Sequence, residues 1–118
     1  MSVLSYINKQ IDLCVQNATE FELNNAGNIE RVAKAQEKFD REQEALDEMK
    51  AVLAIGVSKE LEYELECDIK WQTRQLDDAR CELTGAKNRK TNDENARTIW
   101  HDRANDWRAA RQKLKASV

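Results

Sequence analysis

A chain of 118 residues with net charge −3, 35% charged side chains, 6% aromatics and no proline has the length of one domain and the composition of long helices or coiled coils. That composition argues against a strand-rich fold, which needs more β-branched and turn residues, and leaves too few large apolar side chains for a broad globular core. The longest apolar run, Ala51 to Val57, falls far short of the roughly 18 residues expected of a membrane span.

The first residues, Met1 to Lys9, have no basic n-region and no continuous apolar stretch, so no secretory signal is read there and a cytoplasmic protein is expected. From Leu4 to Leu53 the apolar positions keep a strict 3-4 spacing: Leu4, Ile7, Ile11, Cys14, Ala18, Phe21, Asn25, Asn28, Val32, Ala35, Phe39, Glu42, Leu46, Met49 and Leu53. Twelve of these fifteen are apolar over seven heptads, and their neighbours are mostly polar, which predicts a narrow coiled-coil seam on one long helix. Gly56 suits the left-handed position that ends such a helix, and Ser58 suits the N-cap of the next, with Glu60 in its first turn.

The second arm repeats the pattern at Leu65, Ile69, Gln72, Leu76, Ala79, Leu83, Ala86, Lys90, Asp93, Arg97, Trp100, Ala104, Trp107, Arg111, Leu114 and Val118, eleven of sixteen apolar. The fold expected is an all-α, single helical domain, 1–118: an antiparallel helical hairpin with arms 3–55 and 58–117, turning near Gly56. Pairing residues whose numbers add to 111 matches the seams throughout, sets Leu46 against Leu65, Ile11 against Trp100 and Leu4 against Trp107, and closes the turn over Gly56. In that register Arg108, Arg111, Leu114 and Val118 overhang the first arm, and Glu42 faces Ile69 without a partner.

Two flaws interrupt the arms. Asn24 to Asn28, around Gly27, is turn-like, and residues 84–95, beginning Thr84-Gly85, are polar. Thr91 with Glu94 fits a capping box, as at the start of a fresh helix. Gly27, Gly56 and Gly85 are therefore candidate hinges. The alternative fold is a four-helix bundle with breaks near all three. Heptad phase survives both flaws, which favours the hairpin. Asn25 and Asn28 are candidate register devices, and Lys90, Asp93 and Arg97 either satisfy one another or face solvent.

Charge is uneven along the chain: residues 56–83 sum to −4 and residues 84–118 to +5. Arg97, Arg103, Arg108, Arg111, Lys113 and Lys115 surround Trp100 and Trp107, which stand one heptad apart. One reading makes both tryptophans seam residues; the other makes the basic, aromatic end of the arm a docking element for a protein partner or, alternatively, for nucleic acid. No zinc-finger or RNA-binding signature accompanies it. Tyr6, Leu13, Leu23, Tyr63, Trp71 and Ile99 lie off the seam, and Trp71 falls on the outer side of its arm. The acidic series Glu60, Glu62, Glu64, Glu66 and Asp68 alternates along a helix, so it splays around the circumference and is a solvated face rather than a metal site.

Cys14, Cys67 and Cys81 form no C-x-x-C pair, and the last two lie about 21 Å apart on one helix at ~1.5 Å per residue, so reduced thiols are expected. A single histidine, His101, and the lack of any phosphate-binding loop or nucleophile motif argue against an enzyme. No metal, cofactor, membrane or small-molecule substrate is expected. In shape alone, a helical hairpin with a basic aromatic tail resembles the stalks and chaperones of bacterial secretion systems and some small phage-encoded regulators, an analogy of form only. The function expected is a non-enzymatic protein interaction module (a helical adaptor, secretion chaperone or assembly factor) that self-associates and binds a partner through Trp71, Ile99, Trp107, Arg108, Arg111 and Leu114. The alternative is a small nucleic-acid-binding or regulatory protein that uses the basic C-terminal helix.

Overall fold

The structure is a computed structural model that describes residues 2–117. It is all-α, with α1 spanning Val3–Ile55 and α2 spanning Lys59–Ala116. The arms expected at 3–55 and 58–117 are these two helices to within a residue at each end. No described helix is long and apolar enough to cross a membrane. By packing, the chain divides into two units, Met1–Ile29 with Arg89–Val118, and Glu30–Asn88.

The second unit contains the turn. Gly56 adopts φ +95°, a left-handed conformation that a side chain disfavours, and its N–H donates to the Leu53 carbonyl at 3.3 Å. Ser58 caps α2: its Oγ accepts from the Leu61 N–H at 3.4 Å, and its carbonyl accepts from Glu62 N–H at 2.8 Å. Glu60 and Glu62 in the first turn, and Lys113 and Lys115 in the last, complement the helix dipole of α2. α1 is capped by Ser2, whose Oγ accepts from the Ser5 N–H at 3.1 Å.

The seam lies where the 3-4 spacing puts it. In the first unit Ile7, Ile11, Cys14, Ala18 and Ala104 are buried; in the second, Leu46, Leu76, Ala79 and Leu83 are buried. Burying each large aliphatic side chain contributes roughly 1.5–3 kcal/mol. Of the described seam positions only Leu4 is exposed, and it is only marginally so, at 37%. Val118 lies outside the described residues.

The register differs from the one in which partners add to 111. In the first unit Arg111 Nη1 donates to Asn8 Oδ1 at 3.1 Å, and Arg97 reaches Glu22 at 3.4 Å. In the second, Lys38 pairs with Glu82 at 3.0 Å, the Arg80 guanidinium lies 5.9 Å from the Phe39 ring, and Gln72 donates to both the carboxylate and the backbone carbonyl of Glu42. For the first four of these pairs the partner stands about one heptad further along α2 than expected, and for Glu42 it stands three residues further. The cause is physical: sliding one helix by a heptad restores the same inward-facing set, so periodicity alone cannot choose between the two registers. Two expectations change with it. Arg111 and Leu114 do not overhang; both are half-buried, and Arg111 is held by α1. Glu42 is not orphaned opposite Ile69, because Gln72 meets it.

The breaks near Gly27 and Gly85 that distinguish the four-helix alternative are absent. α1 runs through Gly27 and α2 through Gly85 and Thr91 without interruption. The polar stretch stays helical because its side chains find partners. In the first unit Asn28, only 2% exposed, donates to Asp93, while Lys90 pairs with Glu94 at 3.7 Å. Lys90, Asp93 and Arg97 therefore do not satisfy one another; each engages a different residue. Asn25 is less well served, since its buried Oδ1 accepts no hydrogen bond among the described residues.

A Cβ built at Gly27 or Gly85 meets nothing within 4 Å, and neither glycine has a positive φ. Gly27→Ala and Gly85→Ala are each expected to stabilise the fold by about 0.5–1 kcal/mol in urea unfolding, whereas Gly56→Ala is expected to destabilise it by about 1–2 kcal/mol. Asn28→Ala leaves Asp93 without this donor and is expected to cost about 1–3 kcal/mol. Replacing Asn28 and Asp93 together with leucine is expected to restore that stability or exceed it, and a double-mutant cycle on the unfolding midpoints measures the coupling.

Candidate protein-docking groove

The first unit carries a solvent-open groove of about 450 Å³ lined by Gln10, Leu13, Cys14 and Asn17 of α1 and by Trp100, Arg103, Asp106 and Trp107 of α2. Its origin is in the heptad pattern. Cys14, Trp100 and Trp107 are seam positions, and Gln10, Asn17 and Arg103 flank the seam on one side. Leu13 and Asp106 stand one step further round that side. The two indoles are too large for the seam to cover. Each is half-buried while the small Ala104 between them is fully buried. The step from large to small to large side chains leaves a trough with aromatic walls.

Local contacts orient the walls. Trp107 meets Tyr6 edge to face, with ring centroids 5.9 Å apart and planes at 78°, a favoured aromatic geometry. The Arg103 guanidinium stacks over Trp100 at 4.9 Å, so the rim carries a cation already held on an aromatic face. Leu13 is 43% exposed and Tyr6 49% exposed, giving the α1 side an apolar surface open to solvent. Cys14 forms the floor and is buried.

The residues singled out for binding do not form one cluster. Trp107 lines the groove. Ile99 is exposed but lies outside the groove lining, and Arg108 is exposed and bonded to Asn105 at 2.9 Å. Arg111 and Leu114 are half-buried at the seam. Trp71 is 59% exposed and belongs to the second unit. Gln10, Asn17 and Asp106 were not singled out. The available signal was their heptad position beside two adjacent tryptophan layers, which marks the flank that large seam residues prop open. Among the described residues no group of histidine, cysteine, aspartate or glutamate side chains is arranged to hold a metal ion. Comparison with protein-family models, with curated proteins and with solved structures gives no match.

The thiols probe this arrangement directly. Cys67 and Cys81 are exposed and Cys14 is buried, so an aromatic disulfide reagent is expected to modify two thiols quickly and Cys14 at least about tenfold more slowly. Three equal rates would show that the groove floor is not covered as described.

Proposed function

We propose that this chain is a non-enzymatic helical interaction module that seats part of a partner protein in the groove between Leu13, Trp100 and Trp107. The observation that carries this reading is the pair of half-buried indoles presented with a stacked arginine in one open trough. Tryptophan and arginine are the side chains most enriched at binding hot spots, because they offer large, stiff contact surfaces with a polar handle. Whether the module serves as an adaptor, a secretion chaperone or an assembly factor follows from the partner it takes. A cytoplasmic setting suits Cys67 and Cys81, which are exposed thiols without a disulfide.

A phosphate-binding role draws less support from the same helix. Arg97 is paired with Glu22, Arg111 is held by Asn8, and Arg103 is stacked on Trp100, so three of the cations that would face a nucleic acid are engaged within the fold. Nucleic-acid affinity resting on few phosphate contacts falls only shallowly with salt.

A photo-crosslinking phenylalanine analogue placed at Leu13 is expected to give a covalent adduct with a protein in the producing cell, and the adduct is expected to fall several-fold on Arg103→Glu. The same probe at exposed Glu37 in the second unit serves as the control. Adduct yield at Leu13 no higher than at Glu37 would overturn the groove as a docking site.

A further inference from the structure

The two packing units carry opposite net charge. Met1–Ile29 with Arg89–Val118 holds nine basic and seven acidic side chains, for +2; Glu30–Asn88 holds ten basic and fifteen acidic, for −5. Each unit also exposes an aromatic feature. The first has the groove of Trp100 and Trp107 with Arg103 at its rim. The second has Trp71, 59% exposed on α2.

Trp71 stands among acids. Glu64 and Asp78 lie one heptad to either side and Asp68 one turn before it, so all three share its helix face, and all are exposed. Arg74, one turn after it, is also exposed. The groove offers the reciprocal set: an arginine on Trp100 and a carboxylate, Asp106, beside Trp107. An indole flanked mainly by carboxylates complements an apolar trough with a cationic rim, and Arg74 complements Asp106. Such pairing favours encounter between unlike surfaces and disfavours each surface meeting its own copy.

Resting on the groove reading above, we propose that its occupant is a second copy of this chain, with the Trp71 face of one copy seated in the Trp100–Trp107 groove of another. A buried tryptophan removes roughly 150–250 Å² from water. A stable interface needs roughly 800 Å² per partner, so Trp71 is the anchor and the flanking helix faces supply the remaining contact. The contact joins two different surfaces, so it is heterologous rather than self-complementary.

The test uses the full chain and its mass in solution by sedimentation equilibrium. The wild type is expected to weigh more than the 13.7 kDa monomer at low salt, with the mass rising with concentration. At about 0.5 M salt, where the Debye length is only a few ångströms, association is expected to weaken at least fivefold. Trp71→Glu and Arg103→Glu, both at exposed positions, are each expected to weaken association at least tenfold while remaining helical by circular dichroism. Mixing these two variants is the decisive arm: one keeps an intact groove and the other an intact Trp71 face, so the mixture is expected to form a one-to-one dimer. A wild type that stays at 13.7 kDa through hundreds of micromolar overturns the proposal. So does a mixture that stays monomeric while the wild type associates, because an intact groove and an intact Trp71 face would then have failed to pair. The crosslink at Leu13 separates this failure from failure of the groove: an adduct containing only a different protein leaves the groove standing and removes self-docking.

Discussion

A seam of evenly spaced aliphatic residues can hold two helices together and still allow them to slide past one another. Each step of one heptad brings the same faces into contact, so the hydrophobic term that provides most of the adhesion is nearly blind to it. Polar side chains within or beside the seam break that degeneracy. Glu42 meets Gln72 in one unit, and Asn28 meets Asp93 in the other, with Arg97–Glu22 and Arg111–Asn8 beside it. Slid by a heptad, Asn28 would be left against a different neighbour, and a buried polar group without a partner costs about 1–3 kcal/mol. The penalty for a wrong register thus comes from the few residues that contribute least to adhesion.

The same register governs what the surface can bind. With Arg111 held by Asn8, the end of α2 is packed rather than free, and its basic character is partly spent inside the fold. The chemistry that remains open moves inward to the two tryptophan layers. There the seam accommodates Ala104 fully and the indoles only in part, and the flanking positions carry Gln10, Asn17 and Arg103 rather than further aliphatic cover. A docking trough arises because two side chains exceed the width of the seam at neighbouring layers, without any loop or strained backbone to build it.

Most of the fold is legible in the residues. The 3-4 spacing identifies the buried positions, and Gly56 with Ser58 identifies the turn, because a left-handed glycine and an N-cap serine have specific backbone requirements. The register was not legible from spacing, for the reason of heptad degeneracy. The continuity of α2 through Thr91 and Glu94 was legible from the heptad phase, which survives the polar stretch, though not from local composition. A capping-box pattern describes what a chain can do locally, whereas Asp93 is held by Asn28 across 65 positions of sequence. The groove was half legible. Trp100, Trp107 and Leu13 stood out individually, but their convergence depends on the register, and so does the separation of Leu114 and Arg111 from it.

Asn25 illustrates how far this division of labour extends. Its buried Oδ1 accepts no bond among the described residues, so unlike Asn28 it contributes a penalty without an evident pairing. It lies two residues before Gly27, and the boundary between the packing units follows Ile29. A helix interior that combines an unbonded amide oxygen, a glycine and a polar facing helix has little apolar burial to hold it closed. Segments of that kind open at lower free energy than the buried layers on either side, since local stability follows local contact density.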